Sequence, residues 1–348
     1  MLDESVLDNT TMWEAVAMKK FLNDPKDFVP EMLKGVALAN PDTLRYVPEY
    51  NLIMRADAPR QDKVSIIQGS GSGHEPAHVM VVGKGMLDGA CPGDVFAAPP
   101  MEYVLETAKL LRSDKGVLLL VNNYTGDKMA FEMAQELAEA EGMDVRTLFI
   151  NDDVAVQDST WTVGRRGVAG NFFVMKAVGA AAEDGADLDE LVRIGEKVNS
   201  VTRTMGIALT PCTPPAKGSP LFELAEDEME VGVGIHGEPG RRRAKLVSAD
   251  EIVDELLGAV VPDLPYSSGD EVALMINGLG GTPISELYLL YGIAHEKLAA
   301  QGIRVGKSYV GEYCTSLDMA GASLTLVRLD DEIRRLLDAP AEIGYRVF

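Results

Sequence analysis

The stretch GVLLLVNNYTGDKMAFEMAQELAEAEGMDVRTLFI, residues 116–150, decides the fold of this 348-residue chain. Its opening segment, 116–123, is an almost unbroken apolar run of strand length, typical of a parallel strand that is covered on both faces. Four apolar residues then recur at helical spacing: Met129, Met133, Leu137 and Ala140. Gly142 ends the predicted helix, and residues 144–152 form the next strand. The stretch therefore predicts a βαβ unit with a right-handed crossover and a parallel sheet.

The same alternation of strand and helix continues on both sides. Residues 63–69 read as a short buried strand that leads through a glycine loop into the start of a helix. An amphipathic helix is predicted at 188–202, and 271–302 reads as strand, glycine turn and helix. Residues 205–245 are richer in strand character, although 210–220 carry four prolines and cannot be regular structure. The predicted class is α/β in two lobes, each a largely parallel or mixed sheet flanked by helices.

The length of the chain is enough for two such lobes. We expect four segments: an acidic N-terminal extension at residues 1–17, a first α/β subdomain at 18–200, a second α/β subdomain at 201–335, and a C-terminal tail at 336–348 that packs back on the first subdomain.

Composition excludes several classes of function. The 46% hydrophobic and 25% charged residues are typical of a soluble globular protein. A net charge of −22 repels nucleic acid and anionic membrane, so we expect neither as a partner. There is no signal peptide pattern and no apolar run of about 20 residues. Cys91, Cys212 and Cys314 are odd in number and lack a C-x-x-C spacing, which predicts reduced thiols in a cytoplasmic protein.

Two short motifs match known sites but lack the context that those sites need. His74 to His78 fit the zinc pattern H-E-x-x-H, yet Pro76 and the preceding glycines exclude the interior of a helix, so we predict no metal. Residues 232–237 fit the dinucleotide pattern G-x-G-x-x-G, but Pro239 and Gly240 follow where a helix must begin. No G-x-x-x-x-G-K-[ST] phosphate-binding loop occurs, so no nucleotide site is expected on this chain.

Ligands of parallel sheets bind beyond the carboxyl ends of the strands, where two polar loops meet in the predicted fold. The N–H groups of Gly71–Gly73 could form a nest for an anion or a hydroxyl. His74 and Asp127 could form an acid/base pair that removes a proton from a hydroxyl, although Asp127 could also cap the following helix. His236 lies in a turn between two glycines and could be a base, a metal ligand, a nucleophile towards a carbonyl, or a structural residue. His295 is predicted to be a surface residue without a role.

Several long motifs, in order, resemble the dihydroxyacetone kinase family, and more narrowly its separate substrate-binding K subunit. They are GSGSGHEPAHVMVVGKGMLDGACPGDVFAAP, NNYTGDKMAFE, DDVAVQDSTWTVGRRGVAG, MEVGVGIHGEPG and GEYCTSLDMAGASLTL. The similarity runs from about Met18 to near the C-terminus.

The resemblance implies a covalent mechanism. The histidine of the GIHGEPG motif, here His236, would attack the ketone carbon of dihydroxyacetone and hold the sugar as a hemiaminal. The glycine loop, here Gly71, Ser72, Gly73 and His74, would bind the substrate hydroxyls together with Asp127. His74 and Asp127 match the family's acid/base residues, which help to deprotonate the terminal hydroxyl. Glycerol has no carbonyl and cannot form the adduct, so the covalent chemistry supplies selectivity.

The resemblance also implies partners. Nucleotide is expected on a helical L subunit, either as ADP recharged by a phosphotransferase-system protein or as ATP with Mg²⁺, and the K subunit is expected to be a homodimer. A non-catalytic, dihydroxyacetone-sensing relative that acts with a transcription regulator is the alternative. Two positions depart from the family pattern. Ser70 replaces a glycine, and Asn122 replaces a substrate-contacting lysine. These differences lead to the hypothesis that the chain accepts a longer ketose such as erythrulose or binds dihydroxyacetone less tightly.

Overall fold

The computed structural model describes residues 19–157 and 164–344. The predicted acidic extension at 1–17 and the last four residues of the predicted tail lie outside this part. The helices are α1 (Phe28–Ala39), α2 (Met101–Leu110), α3 (Thr125–Ala140), α4 (Asn171–Glu183), α5 (Leu188–Ser200), α6 (Ala249–Asp263), α7 (Ile284–Ala300) and α8 (Asp331–Asp338). The strands are β1 (Leu44–Val47), β2 (Leu52–Arg55), β3 (Ser65–Gln68), β4 (Gly71–Ser72), β5 (Gly83–Lys84), β6 (Gly89–Ala90), β7 (Gly93–Val95), β8 (Val117–Asn122), β9 (Val145–Ile150), β10 (Thr202–Ala208), β11 (Glu228–Val231), β12 (Arg242–Lys245), β13 (Glu271–Gly278), β14 (Arg304–Gly311), β15 (Gly321–Arg328) and β16 (Glu342–Ile343).

The first sheet is built around the predicted βαβ unit. Its strand order is β1-β2-β6-β3-β8-β9, and β3, β8 and β9 run parallel. Every residue of β8 is buried, as expected for a strand with helices on both faces. The predicted unit is therefore confirmed, with β8 and β9 in register from Val117↔Val145 to Asn122↔Ile150.

The second sheet is mixed. Its order is β12-β11-β10-β15-β13-β14, in which β13 and β14 are parallel and the other neighbours are antiparallel. The helix predicted at 188–202 is α5, whose N-cap Asp187 accepts a bond from the backbone N–H of Glu190. The proline-rich segment 210–220 contains neither helix nor strand.

Helix α3 forms where the periodicity predicts it, but the residues that carry the periodicity do not face the core. Met129, Met133 and Leu137 are 58%, 49% and 43% exposed. The buried face instead carries Asp127, Ala130, Phe131, Ala134 and Ala138. Small alanines bring the helix close to the layer beneath it, and the longer methionines are left on the solvent side.

No helix follows the glycine loop, which corrects the helix start expected after 63–69. Gly71 and Ser72 form β4, which pairs with β7, and turns then lead into a short 3₁₀ helix at Val79–Val81. The reason is the close approach that the glycines permit. A Cβ at Gly71 would lie 2.7 Å from the backbone of Phe96 and Ala97, so the loop runs flat against that segment.

The two sheets are joined by a buried polar link. Arg166 is fully buried and donates to the carboxylate of Asp153 at 2.7 Å and to the carbonyl of Gly232 at 2.8 Å. The segment that follows β9 pairs with β10 through a bridge between Asp153 and Thr204. The segment that follows β9 of the first sheet is thereby bonded to the loop that follows β11 of the second sheet.

At the C-terminal end of the described chain, β16 pairs with β5 of the first half. The three cysteines are free and buried, and they belong to three different apolar clusters. Within the described residues, no helix has the length and apolar character needed to cross a bilayer.

Candidate active site

A cavity of about 390 Å³ lies where loops from the two sheets meet. Its lining is Ser70, Gly71, Phe96, Ala98, Tyr124, Thr125, Gly126, Asp127 and His236. The loop after β3 supplies Ser70 and Gly71, the turn after β8 and the start of α3 supply Asp127, and the loop after β11 supplies His236. The carboxyl ends of β3 and β8 thus form one wall, and the second sheet contributes the opposing histidine.

His236 is oriented by a carboxylate two residues further along the chain. Its Nδ1 lies 3.0 Å from Oε1 of Glu238, and its backbone N–H donates to Oε2 at 3.0 Å. Burial alone would raise the pKa of Glu238, but His236 and Arg166 outweigh it and lower that pKa to about 2. Gly234 makes this turn possible, because any Cβ there would collide with the Glu238 carboxylate. The ionised carboxylate requires a proton on Nδ1 of His236, so Nε2 is the ring nitrogen that Glu238 does not occupy.

His74 lies behind His236 and is fully buried. Its Nδ1 lies 2.8 Å from the carbonyl oxygen of Thr315, and its Nε2 lies 3.1 Å from Nε2 of His236. A carbonyl only accepts, so His74 also carries its proton on Nδ1. The facing Nε2 atoms can then be hydrogen-bonded only if they share one further proton. Burial lowers the pKa of His74 well below its usual value, so His74 favours its neutral form.

Asp127 faces His236 across the cavity. The helix begins at Thr125 with Tyr124 at the N-cap position, and no side chain caps it, so the Asp127 carboxylate is not a helix cap. Its Oδ2 instead accepts a bond from the hydroxyl of Ser70 at 2.8 Å, and its Oδ1 has no protein partner. Burial raises the pKa of Asp127 to about 7, although Ser70 and His236 pull it downwards. A carboxylate poised near neutrality suits a general base.

Two aromatic rings complete the walls. Phe96 stacks on His74 with ring centroids 5.1 Å apart, and its edge meets His236 at 5.3 Å. Tyr124 contacts His236 from another side at 4.6 Å. Phe96 adopts a positive φ of 60°, a conformation that is uncommon outside glycine. The rings fix the plane of the His236 imidazole and keep one side of the cavity apolar.

The structure brings some predicted site residues together and separates others. His74, Asp127, Gly71 and His236 meet at the cavity or directly behind it. The hydroxyl of Ser72 donates to the carbonyl of Gly93, and the N–H of Gly73 donates to the Glu75 carboxylate, so neither group is free for a ligand.

Asn122 is fully buried and does not line the cavity. Its Oδ1 accepts from Gln68 at 3.3 Å, and its Nδ2 has no protein partner. Asn122, which is shorter than the lysine of the family pattern, therefore lies beneath the site and not on the cavity wall.

Sequence reasoning missed Glu238, Phe96 and Tyr124 as parts of the site. Glu238 had a signal, because it stands two residues after His236 in a turn, within reach of an imidazole. The carbonyl of Thr315, which sets the tautomer of His74, comes from 241 residues away and has no side-chain signature.

Among the described residues, no group of three or more His, Cys, Asp or Glu side chains is arranged to hold a metal ion. In the H-E-x-x-H string, Nε2 of His74 is taken by His236, while burial lowers the pKa of His78 to about 3 and neither of its ring nitrogens has a protein partner. The two histidines therefore have different surroundings.

Comparison with known proteins gives consistent matches over nearly the whole chain. The family profile described as Dak1 domain matches residues 34–344. The chain is 46% identical to the PTS-dependent dihydroxyacetone kinase 1, dihydroxyacetone-binding subunit DhaK, of Listeria innocua, over 90% of this chain and 95% of that protein. It is 44% identical to the PEP-dependent dihydroxyacetone kinase, dihydroxyacetone-binding subunit DhaK, of Escherichia coli K12, over 93% and 97%. It is 41% identical to the D-erythrulose kinase of Mycolicibacterium smegmatis, of which it spans 56%.

Two solved structures are similar at comparable coverage. The dihydroxyacetone kinase operon co-activator Dha-DhaQ superposes with a TM-score of 0.85 at 35% identity, over 92% of this chain and 97% of that one. The dihydroxyacetone kinase from C. freundii in complex with AMP-PNP and Mg²⁺ gives 0.84 at 33% identity, over 94% of this chain and 61% of that one.

Proposed function

Because the chain belongs to the Dak1 family of dihydroxyacetone kinases, we infer that it is the dihydroxyacetone-binding subunit of such a kinase, a phosphotransferase with an alcohol acceptor. The observation that carries this function is His236 itself. Its side chain lines the cavity, Glu238 holds its Nδ1, and Nε2 of His74 lies 3.1 Å from its Nε2. This arrangement supports a nucleophile with its own proton carrier.

The first step is addition to the ketone. The shared proton moves from Nε2 of His236 to Nε2 of His74, and the freed lone pair attacks the carbonyl carbon. The C–N bond forms as the C=O π bond opens, and His74 returns its proton to the carbonyl oxygen. The product is a hemiaminal in which the alkylated imidazole keeps the positive charge next to ionised Glu238. Charge and proton number are the same before and after, so the step needs no outside acid.

Covalent capture explains how so small a sugar is chosen. Hydrogen bonds to a polyol discriminate weakly between dihydroxyacetone and glycerol, whose hydroxyls are alike. Only the ketone has an electrophilic carbon, so glycerol occupies the cavity without becoming attached.

The second step is phosphorylation of a terminal hydroxyl. Asp127 supports this step, because its Oδ1 is unpaired and its pKa of about 7 allows it to take a proton at neutral pH. Phosphoryl transfer requires little else from the acceptor side than orientation, which the bond to His236 supplies.

The phosphoryl donor comes from a nucleotide-bearing L subunit, which would carry ADP or ATP with Mg²⁺. The sequence has no phosphate-binding loop, and the similar kinase crystallised with AMP-PNP and Mg²⁺ is longer than the region that this chain matches. Met129, Met133 and Leu137 form an exposed apolar stripe on α3, the helix whose first turn lines the cavity. We assign this stripe to the contact with the L subunit. A homodimer and a phosphotransferase-system protein as donor remain predictions from the family.

A second candidate is a sensing role without catalysis, which is favoured by the structural likeness to a co-activator of the operon. The relatives at 40–46% identity that are named as dihydroxyacetone-binding kinase subunits, and the presence of both His74 and Asp127, favour the kinase. A longer ketose is a third possibility, since similar proteins include a D-erythrulose kinase.

The test has two parts. Dihydroxyacetone labelled with ¹³C at its ketone carbon is added to the isolated chain, and the carbon signal is expected to move from the carbonyl to the tetrahedral region. Glycerol and the H236A variant are the controls, and neither should give the signal. Donor subunit and nucleotide are then added, and triose and erythrulose are compared for sugar phosphate formation. An adduct without phosphate under any donor would identify the sensor, and no adduct would overturn the function.

A further inference from the structure

Ser70 makes a contact that the proposed chemistry has not yet used. Its hydroxyl donates to Oδ2 of Asp127 at 2.8 Å, across 57 residues of sequence. Both side chains are buried, and Oδ1 of the same carboxylate has no protein partner. One oxygen of this carboxylate is therefore held, and the other is buried without a protein partner.

The hydroxyl is itself fixed in place. Ser70 stands between Gly69 and Gly71 at the end of β3, and its carbonyl accepts the N–H of Gly93 at 2.9 Å. A Cβ at Gly69 would lie 2.5 Å from the carbonyl oxygen of Cys91, so this part of the loop is packed against its neighbour on both sides. A serine on such a backbone has little freedom, and its bond restrains the Asp127 rotamer.

The neighbouring serines show that this bond is unlike a structural one. Ser65, on β3, donates to the carbonyl of Leu111 at 2.6 Å, and Ser72 donates to the carbonyl of Gly93 at 2.8 Å. Of these three buried hydroxyls, the one from Ser70 is directed to an ionisable group that lines the cavity.

We propose that Ser70 is a positioning residue for Asp127, which holds Oδ2 so that Oδ1 receives the proton of the terminal hydroxyl of the ketose. This inference rests on the proposed function and deepens it. When the hydroxyl proton moves to Oδ1, the O–H bond of the sugar breaks, its oxygen attacks the phosphoryl group, and the bond from Ser70 to Oδ2 keeps the carboxyl group oriented throughout.

The same bond favours the charged form of Asp127, because a donor stabilises a carboxylate more than a carboxylic acid. The titratable groups that surround the cavity are His236 from the loop after β11, His74 behind it, and Tyr124 at the start of α3. Of these, His236 acts together with Ser70 to oppose the effect of burial on the pKa of Asp127. Removal of the hydroxyl therefore leaves Asp127 harder to ionise.

The experiment compares S70A and S70C with the wild-type chain, each combined with the donor subunit. Alanine removes the donor and keeps the Cβ, while cysteine has nearly the same size and is a weak donor. S65A is the matched control, because it removes a buried serine bond on β3, the strand that leads into the Ser70 loop, without touching the cavity. The acid limb of kcat against pH is expected to move up by about one unit in S70A and by less in S70C. For S70A this means about tenfold lower kcat at pH 6 and near-equal kcat at pH 9, with an unchanged KM for the ketose.

A second measurement does not depend on turnover. ¹³C NMR titration of the aspartate carboxyl carbons, with the signal of Asp127 assigned by its loss in D127N, is expected to show a higher pKa in S70A and none of that change in S65A. A wild-type enzyme that turns over while S70A keeps both the pH profile and the Asp127 titration would overturn the inference. A uniform loss of activity at every pH would do the same. Absence of turnover in the wild type would instead contradict the proposed function.

Discussion

At the scale of single residues, the site is made of two carboxylates whose surroundings drive their pKa values apart. Glu238, beside His236 and near Arg166, has a pKa of about 2 and remains charged at any working pH. Asp127, buried with one serine donor, has a pKa of about 7 and can exchange a proton. In the proposed mechanism, one carboxylate is the counter-ion of the adduct and the other is the base.

Replacement of Glu238 by Gln is expected to weaken the covalent adduct by about 10- to 100-fold, the usual value of a hydrogen bond to a charged group. An amide can donate to Nδ1, which places the imidazole proton on Nε2 and blocks the lone pair. The neutral glutamine side chain also leaves the charged adduct without a counter-ion. Titration of labelled dihydroxyacetone by ¹³C NMR measures the loss, and E226Q, at an exposed position of the same region, is the control. Unaltered affinity in E238Q would exclude the orienting role.

The pH dependence of turnover follows from Asp127. A base must be deprotonated, so kcat should fall as the pH drops through about 7, well above the range in which an ordinary aspartate titrates. Initial rates between pH 5 and pH 9, with the donor subunit in excess, measure the limb. D127N should be inactive throughout. A limb near pH 4 would show that Asp127 is not the group that limits the rate.

At the scale of elements, α3 shows both how far sequence patterns reach and where they fail. The β8-α3-β9 unit could be predicted because an apolar run and a helical period are local properties of the chain. The period predicted the helix but did not identify its buried face, which carries the smaller alanines Ala130, Ala134 and Ala138. The bond between Ser70 and Asp127 joins two elements far apart in sequence, and no local pattern announces it.

The exposed stripe on α3 leads to a prediction about assembly. The double variant M129E/M133E should raise the concentration of L subunit needed for half-maximal turnover by at least tenfold, because two buried apolar contacts of about 1.4 kcal/mol or more in total would be lost. Adduct formation on the isolated chain should not change. L38E, which alters an exposed leucine on α1, is the control. Equal dependence on L subunit in M129E/M133E and L38E would place the contact elsewhere.

At the scale of the whole molecule, loops from both sheets contribute residues to the candidate active site. Asp127 and Ser70 belong to the first, and His236 and Glu238 to the second, so correct chemistry depends on how firmly the halves are held together. Arg166 contributes to that hold, since it bonds Asp153 on one side and Gly232, at the base of the His236 loop, on the other.

The R166M variant is expected to lower the free energy of unfolding by about 3–5 kcal/mol at pH 8, because it leaves Asp153 buried without its partner. Burial already raises the pKa of Asp153 to about 6, so at pH 5 the carboxyl group is protonated in the folded state and the loss should be smaller. Urea unfolding at both pH values measures this. K128A, which breaks an exposed pair with Glu132, should cost about 0.5 kcal/mol or less. The same loss at both pH values would contradict the stranded-charge explanation.

Cys91, Cys212 and Cys314 sit in separate apolar clusters, and none reaches solvent. An aromatic disulfide reagent can react with such a thiol only while the surrounding cluster is open. Each of the three labelling rates therefore reports how often one cluster opens. When a ketose is attached to His236, the labelling rate of Cys212, whose apolar cluster includes Phe96, should decrease the most.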